Sequence, residues 1–545
     1  MRTRLSLLRA AGASALALLV RPRGARAATT GPQLRGLRVG GAGTWAGDSD
    51  RLATLSPGRS DERAVLRFAL DEPASVTVEA VATGRRADAT VWSRTRSLQA
   101  GEHVFDWRPP RATEARTYLL RTTVLGEDGE TTVYGERHGL AAPVVRVLGI
   151  DAAWVRRSYQ PRQRARLRIE ADAEHLTLQL FRNGPEPVST NRADELSGVP
   201  VSAPVKLDWG ARRWRRNAAL VWIGDWPSGL YYARLTAEDG RVGFAPFILR
   251  PTRLGASRVA VVLPTNTWQA YNFRDTDADG WGDTWYAGGS PPVLLDRPYL
   301  QRGVPPRFKQ HDRAFLRWLA LTRREVDVLA DDDLERIDAG EQLRTLYDLV
   351  VFPGHTEYVT ARTYDIVERY RDLGGNLLFL SANNFFWKVE KRGREMRRIG
   401  LWRALGRPEA RLLGAQYLAN DDGRRQKPFV VRRSNRVPWL WDGTDLDDGA
   451  TFGEFVGGFG TEIDARCRYS PPGTTVVAEI PNLFGRGYTA QMTYYETAVG
   501  ARVFAAGALD FGGAVMHWPM RRILQNVWNR LAPEGQRFTS DSGAV

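Results

Sequence analysis

The spacing of apolar and polar positions divides this chain into regions of different period. From Arg63 onward the inward-type residues fall at every second position: Val76, Val78 and Ala80, then His103, Phe105 and Trp107, then Tyr118, Leu120 and Thr122. Turn signals at Asp71-Glu72-Pro73, Ala100-Gly101 and Glu127-Asp128-Gly129 separate the runs. Alternation broken by such turns predicts an antiparallel sandwich over residues 61–146. A second alternating block, residues 147–251, holds Ala165, Leu167 and Ile169, then Leu176, Leu178 and Leu180, then Val205, Leu207 and Trp209, then Tyr231, Ala233 and Leu235. Phe105-Asp106-Trp107 precedes Tyr118 much as Leu207-Asp208-Trp209 precedes Tyr231, which predicts two related Ig-like modules with their aromatics in the cores. Residues 28–60, rich in Gly, Arg and Thr, read as a lead-in segment.

After Pro251 the pattern turns α/β, over residues 252–537, with a short tail at 538–545. Arg258–Leu263 and Val326–Leu329 are short apolar runs expected as buried strands, and Asp312–Leu321 reads as a helix. The centre of this region is Tyr347 to Trp387. Asp348–Phe352 predicts a strand, Pro353-Gly354 breaks it, and Thr360–Leu373 predicts a helix burying Ile366, Val367, Tyr370 and Leu373. Gly374-Gly375 supplies the stop and Asn376–Leu380 the second strand. A strand–helix–strand unit of this kind puts its ligand crevice at the carboxyl ends of the strands. His355-Thr356-Glu357-Tyr358 and Ser381-Ala382-Asn383-Asn384 both fall there. Glu409–Asp464 and Thr489–Gly507 add strands and loops, and Met520–Leu531 closes with a helix. The fold class expected is thus multidomain: two all-β Ig-like sandwiches, then a parallel-sheet α/β domain with β-rich additions.

A length of 545 residues is too great for one core and fits about three domains. Arg2, Arg4 and Arg9 before an apolar Ala10–Val20, with Ala25-Arg26-Ala27 after it, predict an export signal over residues 1–27 and a secreted or cell-envelope protein. No later apolar run approaches the length of a membrane span, so an integral membrane protein is not expected. Removal of six arginines with that signal would lower the net charge from +15 to +9. The remaining charge is scattered. Its dense clusters, Arg212–Arg216 and Lys391–Arg398, read as solvated faces, so no nucleic-acid partner is expected. An anionic cell surface remains a non-specific partner. Cys467 is the single cysteine, so no intramolecular disulfide can form.

Asp275-Thr276-Asp277-Ala278-Asp279-Gly280-Trp281-Gly282-Asp283 is the sharpest short motif. Carboxylates at positions one, three, five and nine, glycine at six and a backbone carbonyl from Trp281 at seven match the start of a Ca²⁺ loop. Tyr286 stands where the closing Glu would be. The expectation is a structural calcium site; the alternative is a solvated acidic turn. Nucleophile chemistry finds little support. G-x-S-x-G is absent, Thr356 stands where an elbow nucleophile would, and Cys467 lies far off. His311, His355 and His517 are not paired at zinc-ligand spacing. What the sequence does offer is hard oxygen donors, Glu357 and Tyr358 in the first polar turn, Tyr271 before it and Glu462 in GGFGTEID, suited to ferric iron or a similar ion.

The segments TWQAYN at Thr267–Asn272, DRPY at Asp296–Tyr299, VDVLADDDL at Val326–Leu334, GHTEYVT at Gly354–Thr360, GGNLLFLSANNFFWKV at Gly374–Val389 and GALDFGG at Gly507–Gly513 stand out along this region. Together they resemble motifs of the N,N-dimethylformamidase large (beta) subunit family in its C-terminal domain. The resemblance implies a glutamine-amidotransferase-like α/β domain and hydrolysis of small linear amides at a mononuclear iron held by two tyrosines and a glutamate. Matched to the motifs, Tyr358 is one ligand, Glu462 the glutamate and Tyr271 the second tyrosine. His355, Glu357 and Asn383 would orient substrate or move protons. The family works with a separate small subunit, so a small partner subunit or homo-oligomer is also implied. This chain departs from it in carrying an export-type segment and two Ig-like modules. The alternative is a non-catalytic, calcium-stabilised extracellular protein that binds a cell-surface or carbohydrate ligand on the same scaffold.

Overall fold

The computed structural model describes residues 31–41, 45, 47–57, 62–84, 87–210, 218–286, 290–421, 423, 425–454 and 461–538. The export-type segment, the Arg212–Arg216 cluster and Gly457–Gly460 lie outside the described residues. Multiple sheets and few long helices make this a β-rich, multidomain chain.

The first unit packs a three-stranded sheet (Leu34–Gly40, Ala64–Leu70, Gly101–Trp107) on a six-stranded one built around Ala74–Ala82 and Thr117–Gly126. Alternation decides which side chains meet between them: Val76, Val78, Phe105, Trp107, Tyr118 and Leu120 share one core. The stretch read as a lead-in contributes two of these strands, Leu34–Gly40 and Leu52–Leu55. A register shift between Arg35 and Arg38 breaks the alternation of the first, and Leu52–Leu55 is buried on both faces, so neither shows period two in the sequence.

The second unit repeats the plan, with Ile150–Trp154, Arg164–Ala171 and Ala218–Trp222 facing a sheet centred on Gly229–Ala237. Leu167, Leu178, Trp209 and Tyr231 lie in its core, whereas Val205 is exposed on an edge strand. The same device recurs in both units. The Tyr118 hydroxyl donates to the Glu114 carbonyl (2.8 Å) and the Tyr231 hydroxyl to the Pro227 carbonyl (2.7 Å), each four residues upstream. Tyr118→Phe and Tyr231→Phe should each lower unfolding free energy by about 1 kcal/mol, the net value of one such bond. Denaturant midpoints check this, and unchanged midpoints would show the bonds to be incidental.

Residues beyond Val259 build a nine-stranded mixed sheet in the order Asp327–Ala330, Val259–Leu263, Leu349–Phe352, Asn376–Phe379, Arg502–Ala505, Ala490–Glu496, Thr475–Ile480, Phe429–Val431, Thr451–Phe452. The first five run parallel and the rest antiparallel. Val259–Leu263 and Leu349–Phe352 are wholly buried, as expected of parallel strands covered on both faces. Helix Ala361–Asp372 covers one face, and its N-terminus is capped by the Thr360 side chain, which accepts from the Thr363 N–H. Helix Met520–Leu531 buries Ile523, Val527, Trp528 and Leu531 against the other. Asn376 ties helix to sheet, donating to the Leu531 carbonyl (2.7 Å) and accepting from the Arg502 N–H (2.9 Å).

The β units are fastened to this sheet rather than strung beside it. Leu230, Tyr232, Phe244 and Ile248 of the second unit enter the core that holds Val261 and Trp318. The acidic run Asp331-Asp332-Asp333 explains itself here. Asp332 takes a two-pronged ion pair from Arg157, and Asp333 accepts from the Ser158 hydroxyl at 2.7 Å.

Candidate functional site

Three segments leave the carboxyl ends of neighbouring parallel strands and meet. After Val259–Leu263 the chain makes a short helix, Thr265–Ala270, that delivers Tyr271. After Leu349–Phe352 comes Pro353-Gly354-His355-Thr356-Glu357, and after Asn376–Phe379 comes Leu380–Asn384. The last two are laced together: the Thr356 N–H donates to Asn384 Oδ1 (2.9 Å) and the Phe385 N–H to the Thr356 carbonyl (2.7 Å). Tyr358, expected in the turn, instead opens a short strand, Tyr358–Thr360, that pairs in parallel with Trp387–Arg392.

His355 stands at the middle of the cluster. Its Nδ1 faces the Ala382 carbonyl at 3.1 Å, which favours the tautomer with the proton there. Nε2 lies 3.0 Å from the Tyr271 hydroxyl, 3.1 Å from Glu357 Oε2 and 3.7 Å from Glu462 Oε2. Tyr271 also donates to Glu357. Asn383 donates through Nδ2 to Glu462 Oε2 at 2.7 Å, while its own Oδ1 is buried without a hydrogen-bond partner. The Tyr358 ring is buried, meets Tyr271 edge-on at 5.8 Å between centroids and lies 4.8 Å from the Trp285 ring.

The charges follow from burial. It is the largest influence on His355 and would lower its pKa, but the hydrogen bond to Glu357 and the charges of Glu462 and Glu357 outweigh it and push the imidazole up to about 9. Burial first, and then the Glu357 carboxylate, hold both Tyr271 and Tyr358 well above the ordinary phenol range. The proton therefore sits on the imidazole and both phenols are neutral in this arrangement.

The structure thus gathers Tyr271, His355, Glu357, Asn383 and Glu462 through direct contacts, with Tyr358 against Tyr271. Glu462 opens the strand Glu462–Ala465, which pairs with Gln416–Asn420. The pairing brings in Tyr417, which sequence reasoning missed; burial and the charges of Glu462 and Glu357 raise its phenol pKa. Tyr286 was also missed, and its ring lies 3.8 Å from that of Tyr271. Nothing in the local sequence of either tyrosine signals this, since both arrive on loops or short edge strands.

The TWQAYN segment is built into the site residue by residue. Thr267 Oγ1 accepts from the Glu357 N–H (3.1 Å), and Trp268 donates to Asp312 (3.2 Å). Gln269 donates to the Arg297 carbonyl (2.9 Å), and Asn272 donates to the Pro298 carbonyl (3.0 Å) and accepts from the Leu300 N–H (3.1 Å). Arg297, from DRPY, is buried and donates to the carbonyls of Gln269, Arg274, Asp283 and Leu294. Burial lowers its pKa to about 10. A cavity of about 340 Å³ is lined by Tyr271 and Tyr286 and by Glu114 and Arg116 of the first β unit.

Asp312, beneath the site, is pushed up to about 7 by burial, against the bond from Trp268. A carboxyl so raised is protonated in the folded chain but ionised in the unfolded chain between about pH 4 and 7. Its contribution is present at low pH and is lost as pH rises through 7. Asp312→Asn should remove this component, at most about 4 kcal/mol at ~1.4 kcal/mol per unit. Melting temperatures from pH 5 to 8 should then fall less steeply in the variant than in the parent, and parallel curves would refute the assignment.

Fold and cluster together define a mixed-sheet α/β protein with an oxygen-rich, histidine-centred site at the carboxyl edge of its parallel strands. The chain belongs to the N,N-dimethylformamidase beta subunit-like, C-terminal family, whose sequence profile matches residues 181–522, more than half of its length. The match begins within the second β unit, on strand His175–Arg182. It is 25% identical over 319 residues to an N,N-dimethylformamidase beta subunit of Alcaligenes sp, covering 47% of this chain and 41% of that one. To the protein of the same name from Paracoccus aminophilus it is 24% identical over 299 residues, covering 44% and 38%. The chain therefore spans about two fifths of the curated relatives it matches. A solved structure of DIP-gamma IG1+IG2 aligns with 41% of this chain and 98% of its own at 11% identity, with a TM-score of 0.16 that carries no fold argument.

Proposed function

We propose that this chain is a metal-dependent hydrolase of small linear amides, N,N-dimethylformamide among them. The observation that carries the reading is the convergence of Tyr271, Glu357 and Glu462 on one buried imidazole, with Tyr358 alongside, in the region the family profile covers. The donor set fits a hard cation: phenol and carboxylate oxygens, with no thiolate among them. Two buried phenols held neutral beside carboxylates are groups that a bound cation would convert to phenolates. Tyr271, Tyr358 and Glu462 would hold it. When bound, an ion such as ferric iron supplies Lewis acidity toward the amide carbonyl and a more acidic water.

The remaining steps belong to the chain's own residues. Hydrolysis adds water across the amide C–N bond, and the departing amine needs a proton. His355, held protonated by Glu357 and Glu462, carries one at Nε2, and Glu357 can take one from water. The buried, unpartnered Asn383 Oδ1 offers an acceptor to an amide N–H or to water. Convergence of these groups on one site favours the enzyme over the surface-binding reading.

We read the β units as Ig-like modules, supported by their paired sheets and by the two tyrosine hydroxyl bonds. The sheet domain we read as amidotransferase-like, with an export signal before the β units. Relatives named as beta subunits support a small partner subunit or self-association. No helix among the described residues is long and apolar enough to cross a membrane. The test is amine release from a panel of formamides and acetamides by the purified full chain, with and without added iron. Turnover supports the reading, and absence of turnover and of bound metal under both conditions overturns it.

A further inference from the structure

Of the loop Asp275–Asp283, the structure brings Asp275, Asp277 and Asp283 together, each offering a carboxylate oxygen within 4.8 Å of the others. The loop expectation also included Asp279 and the Trp281 carbonyl, and of these the Asp279 carboxylate lies outside the cluster. The Asp279 carboxylate accepts the Trp281 N–H at 2.7 Å and so closes the turn rather than joining the other three. Backbone donors satisfy part of the cluster: Gly280 N–H to Asp275 Oδ2 and Thr276 N–H to Asp283 Oδ2, both 2.8 Å. The other oxygen of Asp275 is buried and has no hydrogen-bond partner, and Asp275 itself is 9% exposed. A buried carboxylate oxygen left without a donor beside two further carboxylates is a costly arrangement unless a proton shared with Asp277 or a cation meets it. Arg297, 3.9 Å from Asp283, offsets only part of the charge.

The position of the loop gives the site a purpose. Its tip is plugged into the first β unit. The Thr83 hydroxyl donates to the Gly280 carbonyl at 2.8 Å, Ala278 and Trp281 pack on that unit's core, and the Arg137 guanidinium sits 4.8 Å over the Trp281 ring. Gly280, at φ +89°, lies so close that an added Cβ would stand 2.4 Å from Leu119. Its return leg is a wall of the catalytic-edge cluster. Trp285 packs on Tyr358, Tyr286 on Tyr271, and Thr284 and Trp285 donate to the Ala270 carbonyl.

We propose that Asp275, Asp277 and Asp283 bind one Ca²⁺ that clamps the first β unit to the site-bearing sheet and holds the wall formed by Trp285 and Tyr286. An all-oxygen set in an irregular loop suits Ca²⁺, which accepts six to eight oxygens in flexible geometry and takes the rest from carbonyls or water, better than octahedral Mg²⁺. This reading is independent of the amide-hydrolase assignment.

The test is calorimetric titration of the full chain with CaCl₂ and, separately, MgCl₂ after EGTA treatment, with melting curves and amide-exchange rates at residues 275–286 beside it. The expected result is one Ca²⁺ per chain, Mg²⁺ at least tenfold weaker, a higher melting temperature and slower exchange in the loop. Asp277 is exposed, so Asp277→Asn should fold yet lose the response; Tyr358→Phe, which alters only the other site, should keep it. No Ca²⁺ binding at millimolar concentration, or equal binding by Asp277→Asn, would overturn the proposal.

Discussion

Tyr358→Phe is expected to cut amide hydrolysis by more than ~100-fold while leaving the fold intact. Losing a group that merely orients a metal ligand costs about 10–100-fold, and in the proposed site this substitution would remove a ligand oxygen itself. The ring would keep its packing, because Trp285 and Tyr271 meet its faces and edge rather than its hydroxyl. Circular dichroism should therefore match the parent, and the melting temperature should fall by no more than the loss of the hydroxyl's bond to Glu357 explains. Glu462→Gln should behave the same way on activity, and it keeps an oxygen to accept from Asn383. A Tyr358→Phe chain that retains full turnover would remove Tyr358 from the site.

Gly512→Ala is expected to damage both the fold and the site, because backbone carbonyls close in on this position. The GALDFGG turn runs under the site, and the Gly512 N–H donates to the Leu380 carbonyl at 2.8 Å. An added Cβ would sit 2.4 Å from the Pro353 carbonyl oxygen, 3.1 Å from that of His311 and 3.2 Å from that of Leu380. All three are backbone atoms, and the first and last belong to the segments that carry His355 and Asn383, so nothing flexible can yield. Overpacking of this kind costs ~1–3 kcal/mol or more, and here it would also pry the two site turns apart. The variant should lose both melting temperature and turnover. Parent-like stability would mean that the turn yields more easily than its backbone contacts imply.

Much of this was legible in the sequence because period reports burial directly. Val76, Val78, Leu167 and Leu178 alternate because one face of each strand is dry, and Leu349–Phe352 is uniformly apolar because both faces are. Gly374, at φ +88°, ends its helix because a residue with a Cβ resists that conformation. The turns holding His355 and Asn383 followed from chain direction alone, since parallel strands must release their loops at one edge. What stayed hidden depends on chain segments far apart. Strands of two to five residues, such as Gln416–Asn420, are too short to show a period, so the arrival of Tyr417 beside Glu462 could not be read. Tyr286 looked like a failed calcium ligand, whereas in the structure its ring covers Tyr271. The reach of the acidic loop into the first β unit left no local mark either, because Ala278 and Trp281 pack against residues well over a hundred positions earlier in the chain.

The proposed chemistry needs a hard metal ion shared by the phenol and carboxylate oxygens around His355. That ion is tested most directly by elemental analysis of the purified full chain, read beside its visible absorption and repeated for Tyr358→Phe and Glu462→Gln. The expected result is about one iron per chain, a phenolate-to-metal band in the visible, and loss of both in the two variants. Iron-loaded parent protein without such a band, or variants that keep metal and band alike, would contradict it.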